Sequence, residues 1–147
     1  MKAIKYSFLL LVLAIFMGGA AKAQIVVIVN NDNPAEKLSA QQVKDYYMRK
    51  SRSRWPSINK PIKPVDRKGS GAEKTKFLSD VMGMSNEKLS QHFTQRQFAN
   101  SEAPPAKFAS DEEIINNVAN EIGAIGFVSK AVYDANASKV KSVLVVN

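Results

Sequence analysis

The run Ile25-Val26-Val27-Ile28-Val29 constrains this chain most tightly. Five consecutive branched apolar residues cannot alternate between a wet and a dry face, so they predict a strand covered on both sides by helices. The run ends in Asn30-Asn31-Asp32-Asn33-Pro34, a cluster of turn formers. Ser39 precedes Gln42 by three residues, a capping box that opens a helix through about Met48 with Leu38, Val43, Tyr46 and Tyr47 as its apolar members. A short strand follows near 62–66, and Pro61 and Pro64 predict that it is an edge strand or partly irregular. The next helix spans about Ala72 to Met82, buries Phe77, Leu78 and Val81, and stops at Gly83. Ser85 caps another helix carrying Leu89 and Phe93. The stretch 94–108 is expected to lack regular structure because of Pro104 and Pro105. Ser110 and Glu113 form a further capping box before Ile114, Ile115 and Val118, and strands are predicted within 123–129 and 140–146. Strands alternating with helices define an α/β domain with a mixed or mostly parallel sheet.

The N-terminus carries a different message. Lys2 and Lys5 precede ten apolar residues at 8–17, and Ala21-Lys22-Ala23 offers small side chains at the two positions a signal peptidase reads. A transmembrane anchor needs about 20 apolar residues, roughly twice this run. Residues 1–23 are therefore expected to be a cleaved signal peptide and 24–147 a single exported, periplasmic domain. Loss of Lys2, Lys5 and Lys22 lowers the formal net charge from +8 to +5. Apart from the run at 48–54 the basic residues are scattered, which argues against nucleic acid as a partner. With no cysteine in the chain, disulfides, thiol catalysis and cysteine metal sites are excluded.

The stretch 64–77 sets Gly69, Ser70 and Gly71 between the strand and a helix, with Arg67 and Lys68 just before them. A helix entered from such a turn leaves its first amides unpaired and pointing outward, with partial positive charge from the summed peptide dipoles. An oxyanion suits that place. The two glycines admit close backbone approach, Ser70 adds a hydroxyl, and Arg67 offers a planar fork. Read alone, the same residues also describe a plain turn and helix cap.

Wider context resembles a known family. The segments IVVIVNNDNP, LSAQQVKDYYMRK, RWPSINKPIKPVDRKGSGAEKTKF and EIGAIGFVS are similar, in the same order, to a segment of the phosphate-binding periplasmic proteins of ABC transporters. The resemblance spans nearly all of the chain after residue 23 and corresponds to the second lobe of a two-lobed architecture, the first being absent. It implies a lobe of the type II solute-binding fold. It also implies anion contacts from Arg67, Ser70 and Gly71, with Gly69 matching the family's loop glycine. Where the family has Ser-Gly-Thr, this chain has Ser70-Gly71-Ala72, so Ala72 contributes at most its backbone amide, and Arg67 lies one residue nearer the serine than usual.

Other conspicuous residues read as structural. His92 has no second histidine with which to hold a metal, and no metal or other cofactor is expected. Asp111, Glu112 and Glu113 fit the dipole and cap chemistry of a first helical turn. Trp55 is expected to anchor packing, Tyr46 and Tyr47 to face different sides of their helix, and residues 49–54 to form a solvated loop. Ser70 has no base at readable spacing, so the chain is expected to be non-enzymatic.

Two functions follow. One is weak binding of phosphate or a similar oxyanion at the Gly-Ser-Gly loop, in connection with phosphate ABC transport. The other is an interaction module that keeps the lobe but docks on a membrane transporter, sensor or outer-membrane protein. A monomer is expected, because Arg67 and Lys68 of two copies would repel unless an anion lay between them.

Overall fold

The structure, a computed structural model, describes residues 23–48 and 54–147. The expected signal sequence, up to residue 22, and most of the basic run at 49–54 lie outside them. Five strands form one sheet: β1 (Ile25–Asn30), β2 (Lys63–Arg67), β3 (Ala106–Phe108), β4 (Ala124–Ser129) and β5 (Val140–Val146). Their spatial order is β3-β2-β4-β1-β5. The three strands β3, β2 and β4 run parallel, whereas β1 is antiparallel to both its neighbours, β4 and β5. The sheet is therefore mixed.

Every residue of β1 is buried, as its unbroken apolar run predicts. Ile25, Val27 and Val29 face one layer, which holds α1 (Ala40–Met48), α2 (Ala72–Phe77) and α3 (Asn86–Asn100). Val26 and Ile28 face the other, where α4 (Asp111–Asn120) supplies Ile114, Ile115 and Val118. Alternation of side chains across a strand thus feeds two cores from one sequence run. At Gly126 on β4 a Cβ would stand 2.7 Å from Val65 and 2.9 Å from Ile114, so only glycine lets β2 and α4 close over that face.

The caps form as expected. Gln42 N donates to Ser39 Oγ and Ser39 N to Gln42 Oε1, and Lys88 N donates to Ser85 Oγ. Glu113 N donates to Ser110 Oγ, but the Glu113 carboxylate reaches one residue further back, to Ala109 N at 2.8 Å. Beyond Phe77, α2 continues as a π-helical turn over Leu78–Met82 and ends at Gly83 in a left-handed conformation. Trp55 is buried, and its indole N–H donates to Gly123 O at 3.0 Å. Tyr47 is buried, while Tyr46 is half-buried and sets its ring edge-on to Trp55.

Two sequence expectations are corrected. The strand bearing Pro64 is not an edge, since β2 lies between β4 and β3, although the alternative expectation of partial irregularity holds, its ladder to β4 covering only Lys63 and Pro64. Lys63 N donates toward β4, to Gly123 O, so the next residue's nitrogen faces the β3 side, where pairing begins only at Val65. Pro64 therefore withholds a donor that no neighbour needs. The stretch 94–108 is also more regular than expected, because α3 runs on to Asn100 before Ser101 ends it in a left-handed conformation. Pro104 and Pro105 come just before β3, so the strand starts where the prolines stop. A final short helix, α5 (Lys130–Ala135), follows β4 directly and had no counterpart in the sequence reading.

Between β2 and β4 the ladder covers only Lys63–Ala124 and Pro64–Ile125. Tyr47 fills the gap beyond it: its hydroxyl donates to Val65 O at 2.7 Å, with Ile125 O 3.2 Å away. Burial, and after it the nearby Asp66 carboxylate, pushes this phenol well above its ordinary value, so it stays a donor.

Candidate functional site

Parallel β2, β3 and β4 end at Arg67, Phe108 and Ser129, on one edge of the sheet. A helix begins soon after each, at Ala72, Asp111 and Lys130. Three helix starts thereby gather outside the carboxyl ends of parallel strands, the position where open α/β sheets place ligands. The sequence-selected residues Arg67, Gly69, Ser70, Gly71 and Ala72 all belong to this edge.

The loop from Lys68 to Gly71 is solvent-exposed. Lys68 N donates to Phe108 O at 2.9 Å, extending the contact between β2 and β3 by one residue. Gly69 then turns the chain with φ +74°; a Cβ there would meet nothing, so its role is conformational and not steric. Gly71 takes the N-cap position in extended geometry without any side-chain cap. The first intrahelical bond runs from Thr75 N to Gly71 O, which leaves the amides of Ala72, Glu73 and Lys74 ahead of the hydrogen-bonded ladder. Ser70 is exposed, and among the described residues its hydroxyl has no hydrogen-bond partner.

Arg67 does not stand free. Its Nη2 lies 2.6 Å from Asp111 Oδ1 and its Nη1 3.2 Å from Glu73 Oε2. The Asp111 side chain is only 4% exposed, and its second oxygen accepts from Ser129 N at 3.1 Å. One carboxylate thus joins the end of β2, the start of α4 and the junction of β4 with α5. Asp111 was expected to serve as dipole chemistry for its own helix; its burial against Arg67 corrects that to a cross-link between three elements. The Arg67 contacts are ionic and not directional: Arg67 Nη1 and Asp111 Oδ1 are both buried, and neither makes a hydrogen bond of good geometry. Glu73, in the first turn of α2, folds its carboxylate back toward Gly71, 3.5 Å from where a Cβ would stand. A protein carboxylate therefore rests beside the uncapped amides.

Beneath the loop lies a second ion pair that sequence reasoning missed. Lys74 and Asp66 are both buried and paired, and Asp66 also accepts from Arg67 N at 2.7 Å. A lysine in a helix's first turn is disfavoured by the dipole, so its burial depends on Asp66. No periodicity marks this pair, because its members sit on different elements.

Beside the loop an open groove of about 670 Å³ is lined by Lys68, Lys107, Phe108, Glu113 and three asparagines of α4. His92 sits apart from this edge, half-buried, with Nε2 3.1 Å from Met48 O.

Fold and edge together define an α/β unit whose mixed five-stranded sheet is covered by helices on both faces. No protein-family model matches the sequence, and no curated protein matches it significantly. Solved structures do match. A Clostridium perfringens protein described as a phosphate ABC transporter substrate-binding protein, with bound phosphate, superposes with a TM-score of 0.64 at 23% identity, over 82% of this chain and 45% of its own. An ABC-type phosphate transport receptor from Vibrio cholerae gives 0.61 at 21% identity, over 82% and 46%. PstS from Borrelia burgdorferi gives 0.63 at 12% identity, over 82% and 47%. The chain spans less than half the length of each, and the likeness is one of fold.

Proposed function

We propose that this is an exported, non-enzymatic, solute-binding-like protein that takes phosphate or a similar oxyanion weakly at Gly69, Ser70, Gly71 and Ala72 beside Arg67, in connection with phosphate ABC transport. The observation that carries the reading is the uncapped start of α2, its loop exposed at the carboxyl edge of the sheet with the Arg67 guanidinium alongside. Fold likeness to phosphate-binding proteins supports the choice of anion. Two features keep the binding weak. The edge is open, so water screens the charges, and a helix dipole at such a site contributes only about 0.3–1 kcal/mol. Arg67 is also already neutralised by Asp111 and Glu73. A millimolar dissociation constant, about 4 kcal/mol, is the expected scale.

That neutralisation favours a second reading, in which the lobe serves as an interaction module for a membrane transporter, sensor or outer-membrane protein and binds no anion. Calorimetric titration of the purified protein with phosphate, sulfate and a neutral solute separates the two. Saturable heat with phosphate and none with the neutral solute supports the anion site; no heat with either anion leaves the docking reading. Export with cleavage after Ala23 is part of the same proposal. Mass spectrometry of the periplasmic fraction should find residues 24–147, and recovery of the uncleaved chain from membranes would refute it.

A further inference from the structure

The groove beside the loop bears on which anion fits. Its lining begins with Lys68, just before the Gly69–Gly71 turn, and takes in Lys107 and Phe108 of β3 and Asn116, Asn117 and Asn120 of α4. Among the described residues neither Lys68 nor Lys107 has a carboxylate partner, in contrast to Arg67. Asp66 and Lys107 are register partners across β2 and β3, so the Lys107 side chain leaves the sheet on the Asp66 face, away from α4, where it also lines a recess with Leu89 and Phe93. The unpaired positive charge at the loop end of the groove therefore belongs to Lys68.

The rest of the groove is not built for charge. Glu113 lines it, held by its bond from Ala109 N, and would repel a ligand that stayed anionic along its whole length. Three asparagine amides each offer both donors and an acceptor. A phosphate oxygen can use only the donors; hydroxyl groups use both. Asn120 is fixed by its bond to Asn116 O at 2.8 Å, whereas the Asn117 amide has no partner among the described residues. The half-buried ring of Phe108 adds an apolar surface of the kind on which the C–H face of a sugar rests.

From this arrangement we infer that the site takes a phosphate monoester carried on a hydroxylated scaffold, a sugar phosphate, in preference to the free ion. The inference rests on the loop being the oxyanion site. The phosphoryl group sits at the Gly69–Ala72 amides and Lys68, and the hydroxylated body lies along α4.

Glucose-6-phosphate, inorganic phosphate, tripolyphosphate and glucose, titrated into the protein at constant ionic strength, provide the test. Glucose-6-phosphate should bind about tenfold more tightly than inorganic phosphate, the gain expected from one or two added hydrogen bonds, and glucose alone should not bind. Asn117→Ala should remove at least about threefold of that advantage while leaving inorganic phosphate unchanged. Equal affinity for glucose-6-phosphate and inorganic phosphate overturns the sugar-phosphate inference and leaves the oxyanion site standing. Tighter binding of tripolyphosphate than of glucose-6-phosphate overturns it in favour of a polyanion. Binding of none of them removes both this inference and the oxyanion site.

Discussion

Arg67 Nη2 lies 2.6 Å from Asp111 Oδ1, so the guanidinium at the end of β2 is the partner of a buried carboxylate at the start of α4. The pair has two opposed consequences. Arg67→Ala strands the Asp111 charge and should cost on the order of 3 kcal/mol of stability. Asp111→Asn also destabilises, yet it releases Arg67 from its strongest internal competitor. Thermal midpoints should fall for both variants, whereas phosphate affinity should fall for Arg67→Ala and rise for Asp111→Asn. Parallel changes in affinity would mean that Arg67 makes no contact with the anion.

Glu73 tests the same electrostatics from the other side. Its carboxylate lies 3.2 Å from Arg67 Nη1 and rests beside the uncapped amides, where an incoming oxyanion would be repelled. Glu73→Gln should raise phosphate affinity by about fivefold, the equivalent of one partly exposed ion pair. The variant should lose only about 0.3–1 kcal/mol of stability with the favourable dipole contact. Calorimetry and thermal melts read the two effects separately, and an unchanged affinity would place the anion away from the start of α2.

Tyr47 closes the gap between β2 and β4. Tyr47→Phe keeps the ring packed at a tilt against Phe77 and Phe127 but leaves Val65 O without its donor in a buried position. A loss of about 1–3 kcal/mol is expected. For a domain of this size that lowers the thermal midpoint by roughly 3–5 °C per kcal/mol. A change below about 1 °C would show that the carbonyl finds another donor.

Acid stability should depend in part on Glu121. The Lys63 ammonium, above all, holds its carboxyl below the ordinary value; burial opposes this, and the Gly123 amide adds a smaller lowering effect. A group with a lowered folded pKa adds stability that is present above its unfolded value, about 4.3, and is lost as the pH falls through the folded value. Thermal midpoints measured from pH 5 to pH 3 should therefore fall less steeply for Glu121→Gln than for the wild type. Because the pair is more than a third exposed on the Lys63 side, the difference should be no more than a few tenths of a kcal/mol at pH 5. Identical slopes would leave the ion pair without thermodynamic effect.

What the sequence determined by itself is local. The unbroken run at Ile25–Val29 required a strand covered on both faces, and Ser39, Ser85 and Ser110 marked helix starts because a cap and its amide are at most three residues apart. The glycine loop was legible for the same reason, as a left-handed residue and an uncapped helix start follow from neighbours along the chain. Only the tertiary structure decided what those residues face. It placed Pro64 on an interior strand and turned its missing amide toward a side that is not yet paired. It drew Asp111 from the start of α4 onto Arg67 at the end of β2, and buried Lys74 against Asp66. Charges attract across space, so their pairing depends on strand order and on which helix covers which face, and no spacing along the chain records either.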